Sequence, residues 1–271
     1  MNTKTKIAIL GTGNIGTSIA SGLLSSGSLS PENVTLTRRK IHLLDSFKKQ
    51  NVQITDDNKI AVKQSKVIII AVEPQQINAL LDEITDIVDH EEQIVISVVT
   101  GVSIKQIQNK LGNDIALVRA MPNTAISIGV SMTCLASDKS NIEAIKMATS
   151  IFDTLGKTLI IDEELMSSAT ALGACGIAFF LRAIRAASQG GIEIGFHADK
   201  AMLIAAQTAK GAATLLLENE EHPEYEIDKV TTPRGVTISG LNQMEHEGFS
   251  SAMIKGIVTS ANKAAKIYES E

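Results

Sequence analysis

Four short apolar runs constrain the fold more than any other feature: residues 7–10, 66–72, 93–99 and 115–120. Each is close to an unbroken series of Ile, Val, Leu and Ala, without apolar–polar alternation. A strand covered on both faces reads this way, whereas a half-exposed strand alternates. Extended segments at 34–36 and 158–161 complete the series, and helical patterns fall around residues 40–50, 74–88, 103–111 and 141–154. Such alternation predicts a doubly wound α/β sheet with right-handed crossovers. Ligands in these sheets lie outside the carboxyl ends of the strands. Segments 71–74, 97–101 and 121–124, each following a strand, are therefore expected to line one cleft.

The first run leads directly into Gly11-Thr12-Gly13-Asn14-Ile15-Gly16. This spacing suits a turn around the pyrophosphate of a dinucleotide: Gly11 for the tight turn, Gly13 for close backbone approach, Gly16 for helix-to-strand packing. Ile15, Ile19, Leu23 and Leu24 then recur at helical spacing, so a helix N-terminus would face the phosphates with its unpaired N–H groups. The plainer alternative is a glycine-rich turn without a ligand.

A dinucleotide site that prefers NAD carries a carboxylate at the end of the second strand, to hold the ribose 2′-hydroxyl. Here that strand runs into Thr37-Arg38-Arg39-Lys40. A hydroxyl and three cations stand where a 2′-phosphate would lie, and arginine suits phosphate as a two-pronged donor. NADPH is the expected cofactor and NADH the alternative. A solvated basic turn would look similar.

After Asp162 the texture changes. Ala, Leu, Ile and Met recur at helical spacing through residues 163–219 and 234–268. Two domains are expected, 1–162 and 163–271. The second is apolar around much of each helix and too small to bury itself, which predicts an intertwined homodimer at minimum. Its methionines read as core filler. A formal charge of −5 and 3% aromatic residues argue against nucleic acid as a partner. No apolar run is read as a membrane span, the start is read as a strand and not a signal peptide, and Cys134 and Cys175 have no metal-type spacing. A cytoplasmic protein without a metal is expected. The five histidines are scattered outside these motifs.

A second pointed stretch runs from Val230 to Leu241 and includes Thr231, Thr232, Pro233, Arg234, Gly235, Val236 and Thr237. Hydroxyls and a glycine at the start of a helix can receive a small carboxylate. They can equally be a helix cap with no ligand.

Three elements together resemble the pyrroline-5-carboxylate reductase family. They are the glycine turn, the run Arg119-Ala120-Met121-Pro122-Asn123-Thr124, and Thr232-Pro233-Arg234-Gly235-Val236-Thr237 followed by Ile238, Gly240 and Leu241. They come in the family's order across nearly the whole chain. The resemblance implies a Rossmann-like domain followed by an all-α dimerisation domain, with dimers that assemble into a decamer. It also implies reduction of 1-pyrroline-5-carboxylate to L-proline by NAD(P)H. By position, it assigns Gly11, Gly13, Asn14, Ile15 and Gly16 to the pyrophosphate, and Thr37 and Arg38 to the adenosine ribose or its phosphate. Val72 and Pro74 match the loop passing the cofactor, and Met121, Pro122 and Asn123 the segment beside the nicotinamide. Thr232, Gly235, Val236 and Thr237 match the loop holding the substrate carboxylate, with Thr237 the foremost catalytic candidate.

The chain departs from the family pattern at Glu73, where a basic residue is usual, and at Arg234, where a second glycine is common. Ala174-Cys175-Gly176-Ile177-Ala178-Phe179 replaces Ser-Gly-Pro-Ala-Tyr, and Ala125 replaces a proline. Two other readings stay open on residues alone. One is a β-hydroxyacid dehydrogenase using Lys200 or Lys210, and the other is a dinucleotide-binding redox sensor without catalysis.

Overall fold

A computed structural model describes residues 5–138 and 141–266. The chain divides into two compact units, Gly176–Val258 and the remainder.

The larger unit is built on one eight-stranded sheet. Along the chain, β1 (Ile7–Leu10), α1 (Asn14–Ser25), β2 (Val34–Thr37), α2 (Asp45–Lys48) and β3 (Gln53–Thr55) form its first half. There follow α3 (Asn58–Lys63), β4 (Val67–Ile70), α4 (Ile77–Ile84), β5 (Ile94–Ser97), α5 (Ile104–Leu111) and β6 (Ala116–Met121). The last part is β7 (Ser131–Ser137), α6 (Ile142–Phe152) and β8 (Gly156–Ile160). The strand order is β3-β2-β1-β4-β5-β6-β7-β8. The chain thus winds outward from β1 to β3 and then returns to β4 on β1's other side, which sets a switch point between β1 and β4.

Strand faces explain the apolar runs. Ile7 and Ile9 of β1, with Val67 and Ile69 of β4, pack with α1 and α6 in one cluster. Ala8, Leu10, Ile68 and Ile70 point the other way, into a cluster with α3, α4 and α5. All eight of these side chains are fully buried, so neither face has room for a polar alternation.

Two strands were not anticipated. β3 is only three residues long and partly exposed, so it carries no apolar run. β7 mixes Ser, Thr, Cys, Met and Leu, and it runs antiparallel to β6 while β8 runs parallel to β7. Residues 122–130 are too few for a helical crossover, which takes about a dozen residues or more, so the chain turns back on itself. The sheet is therefore mixed, with β7 and β8 reversed.

Beyond β8, α7 (Met166–Ala169) opens through a π turn, Thr170–Cys175, into α8 (Gly176–Glu193). Then come α9 (Ala198–Asn219), α10 (Pro223–Lys229), α11 (Val236–His246) and α12 (Phe249–Ala264). Residues 267 and 268 of the expected last helical stretch lie outside the described residues. α8 and α9 form a hairpin turned at Gly195, whose φ is +110°. They approach closely where Gly191 faces Ala201: a Cβ on Gly191 would stand 3.1 Å from that of Ala201.

Glu163–Glu193 reads as one helical stretch that is long and apolar enough to cross a membrane by length and composition alone. This corrects the expectation that no such segment exists. Ser, Thr, Gly and two arginines interrupt the stretch in sequence and hide its apolar character from a search for unbroken runs.

Candidate functional site: a dinucleotide cavity and a threonine-rich helix start

The glycine turn sits directly beyond β1, and each glycine has its own reason to be there. Gly11 has φ +86°, and a Cβ on it would lie 2.5 Å from Val72 Cγ1. A Cβ on Gly16 would lie 2.8 Å from the Gly11 carbonyl oxygen. Gly13, by contrast, faces open space, with no atom within 4 Å of where its Cβ would be. It is the N-cap of α1, which has no side-chain cap and no acidic residue in its first turn. Helix starts normally recruit a side-chain oxygen for these N–H groups. Here an open approach and an uncapped helix coincide, and together they suit an external anion. Asn14 is exposed at this start, and Ile15 packs half-buried on the core.

A cavity of about 800 Å³ lies against this turn at the switch point. Gly11, Gly13, Thr37, Arg38 and Val72 line it, within the size range of small-molecule and cofactor sites. Arg38 is half-buried, and Arg39 and Lys40 are exposed on the same rim. Asp56, Glu73 and Glu83 line it too, so the cavity is not uniformly cationic. Pro74 begins a short 3₁₀ turn, Pro74–Gln76, leading into α4.

Thr37 lines the cavity and is also bonded within the protein. Its hydroxyl donates to Asn58 Oδ1 at 2.7 Å and accepts from the Gly11 N–H at 3.2 Å. Its carbonyl accepts from both the N–H and the hydroxyl of Thr12. Thr37 therefore clamps the glycine turn to the end of β2. Sequence reading missed Asn58 and Glu83 here, because a lone Asn and a lone Glu carry no spacing signal.

Met121, Pro122 and Asn123 stand at the carboxyl end of β6, on the expected sheet edge, and all three are buried. They are not among the residues lining the cavity. Asn123 Oδ1 accepts from the Ala125 N–H, and its Nδ2 donates to the Gly173 carbonyl in the π turn at 3.2 Å. Its side chain is spent on tying β6 to the start of the helical segment. Beneath it, Arg119 of β6 pairs with Glu163 at 3.1 Å, and the same Glu163 oxygen accepts from the Ile104 N–H at the start of α5. Burial pulls the Arg119 guanidinium below its usual range, and Glu163 opposes that shift. Burial likewise pushes the Cys134 thiol up. Among the described residues no cluster of His, Cys, Asp and Glu could hold a metal ion.

The threonine-rich segment belongs to the smaller unit. Gly235 is the N-cap of α11, which again lacks a side-chain cap and an acidic first turn. Its N–H donates to the Thr232 carbonyl at 2.8 Å, and a Cβ on Gly235 would lie 2.5 Å from Thr232 Oγ1. Only glycine fits that approach. Arg234 has φ +61°, a left-handed conformation that favours glycine. Val236 is 92% exposed and Thr237 partly so, while Thr232 is exposed.

Comparison with known proteins completes the picture. The family described as "Pyrroline-5-carboxylate reductase dimerisation" matches residues 163–267, and "NADP oxidoreductase coenzyme F420-dependent" matches residues 6–101. Pyrroline-5-carboxylate reductase 1 of Dictyostelium discoideum is 54% identical over 97% of this chain, which spans about half of that relative's length. Pyrroline-5-carboxylate reductase 2 of the same organism is 48% identical over 96% of this chain and 92% of its own. The chain belongs to the pyrroline-5-carboxylate reductase family. A family member's structure shares the fold: Plasmodium falciparum pyrroline carboxylate reductase with NADP bound, at TM-score 0.90 and 22% identity, covering 98% of this chain and 99% of that one. Family membership favours the reductase over the hydroxyacid dehydrogenase alternative.

Proposed function

We propose that the protein reduces 1-pyrroline-5-carboxylate to L-proline with NADPH, the last step of proline biosynthesis. One observation carries this reading: an open, uncapped glycine turn at the sheet's switch point, in a family member similar to a named reductase over 96% of this chain. The residues fit the cofactor. Gly11, Gly13, Asn14, Ile15 and Gly16 would hold the pyrophosphate, Arg38 the 2′-phosphate, and Val72 and Pro74 the passing cofactor chain. Thr37 would act by holding the turn, and Met121, Pro122 and Asn123 by shaping the edge beside the nicotinamide.

When bound, the nicotinamide supplies a hydride to the ring C=N carbon. An imine that enters protonated brings most of its own electrophilicity, so the chain's task is positioning. Thr232, Gly235, Val236 and Thr237 would bind the substrate carboxylate through hydroxyls and the N–H groups of α11. Thr237 would orient the ring. The working form would be a homodimer, with dimers grouped into a decamer and residues 163–271 as the dimerisation and substrate domain. Two cysteines left free support a cytoplasmic setting.

The test is NADPH oxidation with pyrroline-5-carboxylate beside a panel of hydroxyacids, plus a cofactor titration without substrate. Turnover confined to the imine is expected; cofactor binding without any turnover would overturn the reading in favour of a sensor. Thr237→Ala should raise the KM for the imine about tenfold or more, the loss of a hydrogen bond to a charged group. Unchanged kinetics would remove Thr237 from the site.

A further inference from the structure

We propose that Glu83, which no motif marks, is a positioning residue for the cofactor turn and acts through Asn58 and Thr37. The proposal rests on the reading of the 800 Å³ cavity as the NADPH site.

Three hydrogen bonds run in series from α4 to the glycine turn. Asn58 Nδ2 donates to Glu83 Oε2 at 3.0 Å. Thr37 Oγ1 donates to Asn58 Oδ1 at 2.7 Å. The Gly11 N–H donates to Thr37 Oγ1 at 3.2 Å. The order of donors follows from Glu83. An ionised carboxylate only accepts, so it selects the amide orientation that presents Nδ2 to it and Oδ1 to Thr37. Thr37 has one hydroxyl proton, and Asn58 Oδ1 takes it. The lone pairs of Thr37 are then left to receive the Gly11 N–H. Were the amide reversed, Asn58 would donate to Thr37, and the threonine proton would be free to turn toward Gly11 or into the cavity.

The chain ends at the residue that most needs holding. Gly11 sits at φ +86° beside Val72, and its carbonyl stands against Gly16 at the first turn of α1. A turn held at both Gly11 and Thr12 presents its N–H groups already aligned, and pre-alignment of this kind lowers the ordering cost of binding. Glu83 and Asn58 also line the cavity themselves, and both are half-buried, so the charge that sets the series is only partly screened by water. Glu83 thus explains a carboxylate in a cavity meant for phosphates: its negative charge is directed at an amide and through it at the turn.

The test is a set of four variants of the full chain, each measured for NADPH affinity and steady-state kinetics. Glu83→Leu should raise the Kd and the KM for NADPH about tenfold, with kcat changing less than about twofold. Glu83→Gln should recover to within about threefold of the unaltered protein, since its amide oxygen can still accept from Asn58. Asn58→Asp sets two carboxylates against each other and should weaken NADPH about tenfold or more. Combining Asn58→Asp with Glu83→Gln restores the donor order, because the new amide donates to the new carboxylate, and should recover most of the affinity. Unchanged NADPH affinity in Glu83→Leu, or no recovery in the double variant, would overturn the proposal. A loss of kcat or melting temperature with unchanged affinity would do so too. If the unaltered protein itself bound no NADPH, the cavity assignment would fall instead, and the two failures are thereby told apart.

Discussion

Several side chains that look like ligand contacts are fasteners, and others that look unremarkable hold the sheet together. Arg38 stays available: its backbone N–H bonds the Thr55 carbonyl, while its half-buried guanidinium reaches the cavity rim. Arg38→Ala should therefore raise the KM for NADPH about tenfold and leave that for NADH within about twofold, because only the former carries the phosphate it would grip. A parallel rise for both cofactors would count against a 2′-phosphate contact. Gln93 belongs to the other kind. It is buried, donating to the carbonyls of Val62 and Ser65 at 2.7 Å each while accepting from the Asp89 N–H. Gln93→Leu strands all three groups and should cost roughly 2–4 kcal/mol in a urea titration. Its distance from the cofactor edge means kcat should hardly change.

At the level of elements, α1 shows how closely the glycine turn is tied to its surroundings. Gly22 of α1 abuts the backbone carbonyl of Ile126, in the turn between β6 and β7, with no room for a Cβ. Gly22→Ala is an ordinary helix-favouring change in isolation. Here the obstacle is backbone, which cannot step aside as a side-chain end would. The substitution should destabilise the protein by about 1–3 kcal/mol, read as a lowered melting temperature together with weaker NADPH binding as α1 is displaced. A stabilised variant would refute the close packing. α5 is fixed from both ends of its start, by the Ser103–Gln106 capping box and by Glu163 on its first N–H. Glu163 thereby couples β6, through Arg119, to a helix on one face of the sheet.

The whole molecule carries an unfinished surface. Phe180, Leu181, Leu203 and Leu217 are each more than half exposed in a single chain. Apolar surface on that scale in neighbouring helices marks an interaction face, and the match to a dimerisation family covers this segment. Phe180→Glu should leave the single chain folded, since that ring is 60% exposed, but should yield monomers in sedimentation. Its melting temperature should fall and lose its dependence on protein concentration. A dimer of unchanged stability would show that this face is not the interface.

The central part of this architecture is legible in the order of residues alone. Near-continuous apolar runs at 66–72, 93–99 and 115–120 read as strands covered on both sides, and the glycine spacing suits a phosphate-facing turn. The family resemblance was legible there too, because the 232–237 segment keeps its order even with Arg234 in a left-handed conformation that glycine would adopt more easily. Features that depend on partners distant in the chain emerge only on packing. β7 has no pattern of its own and becomes a strand because β6 offers an edge within reach. Thr37 and Asn123, placed by motif beside the cofactor, turn out to spend their polar atoms on residues 21 and 50 positions away. Glu83 meets Asn58 across 25 positions. A hydrogen bond needs a partner within about 3 Å, and that proximity is created by packing, which no local spacing of residues records.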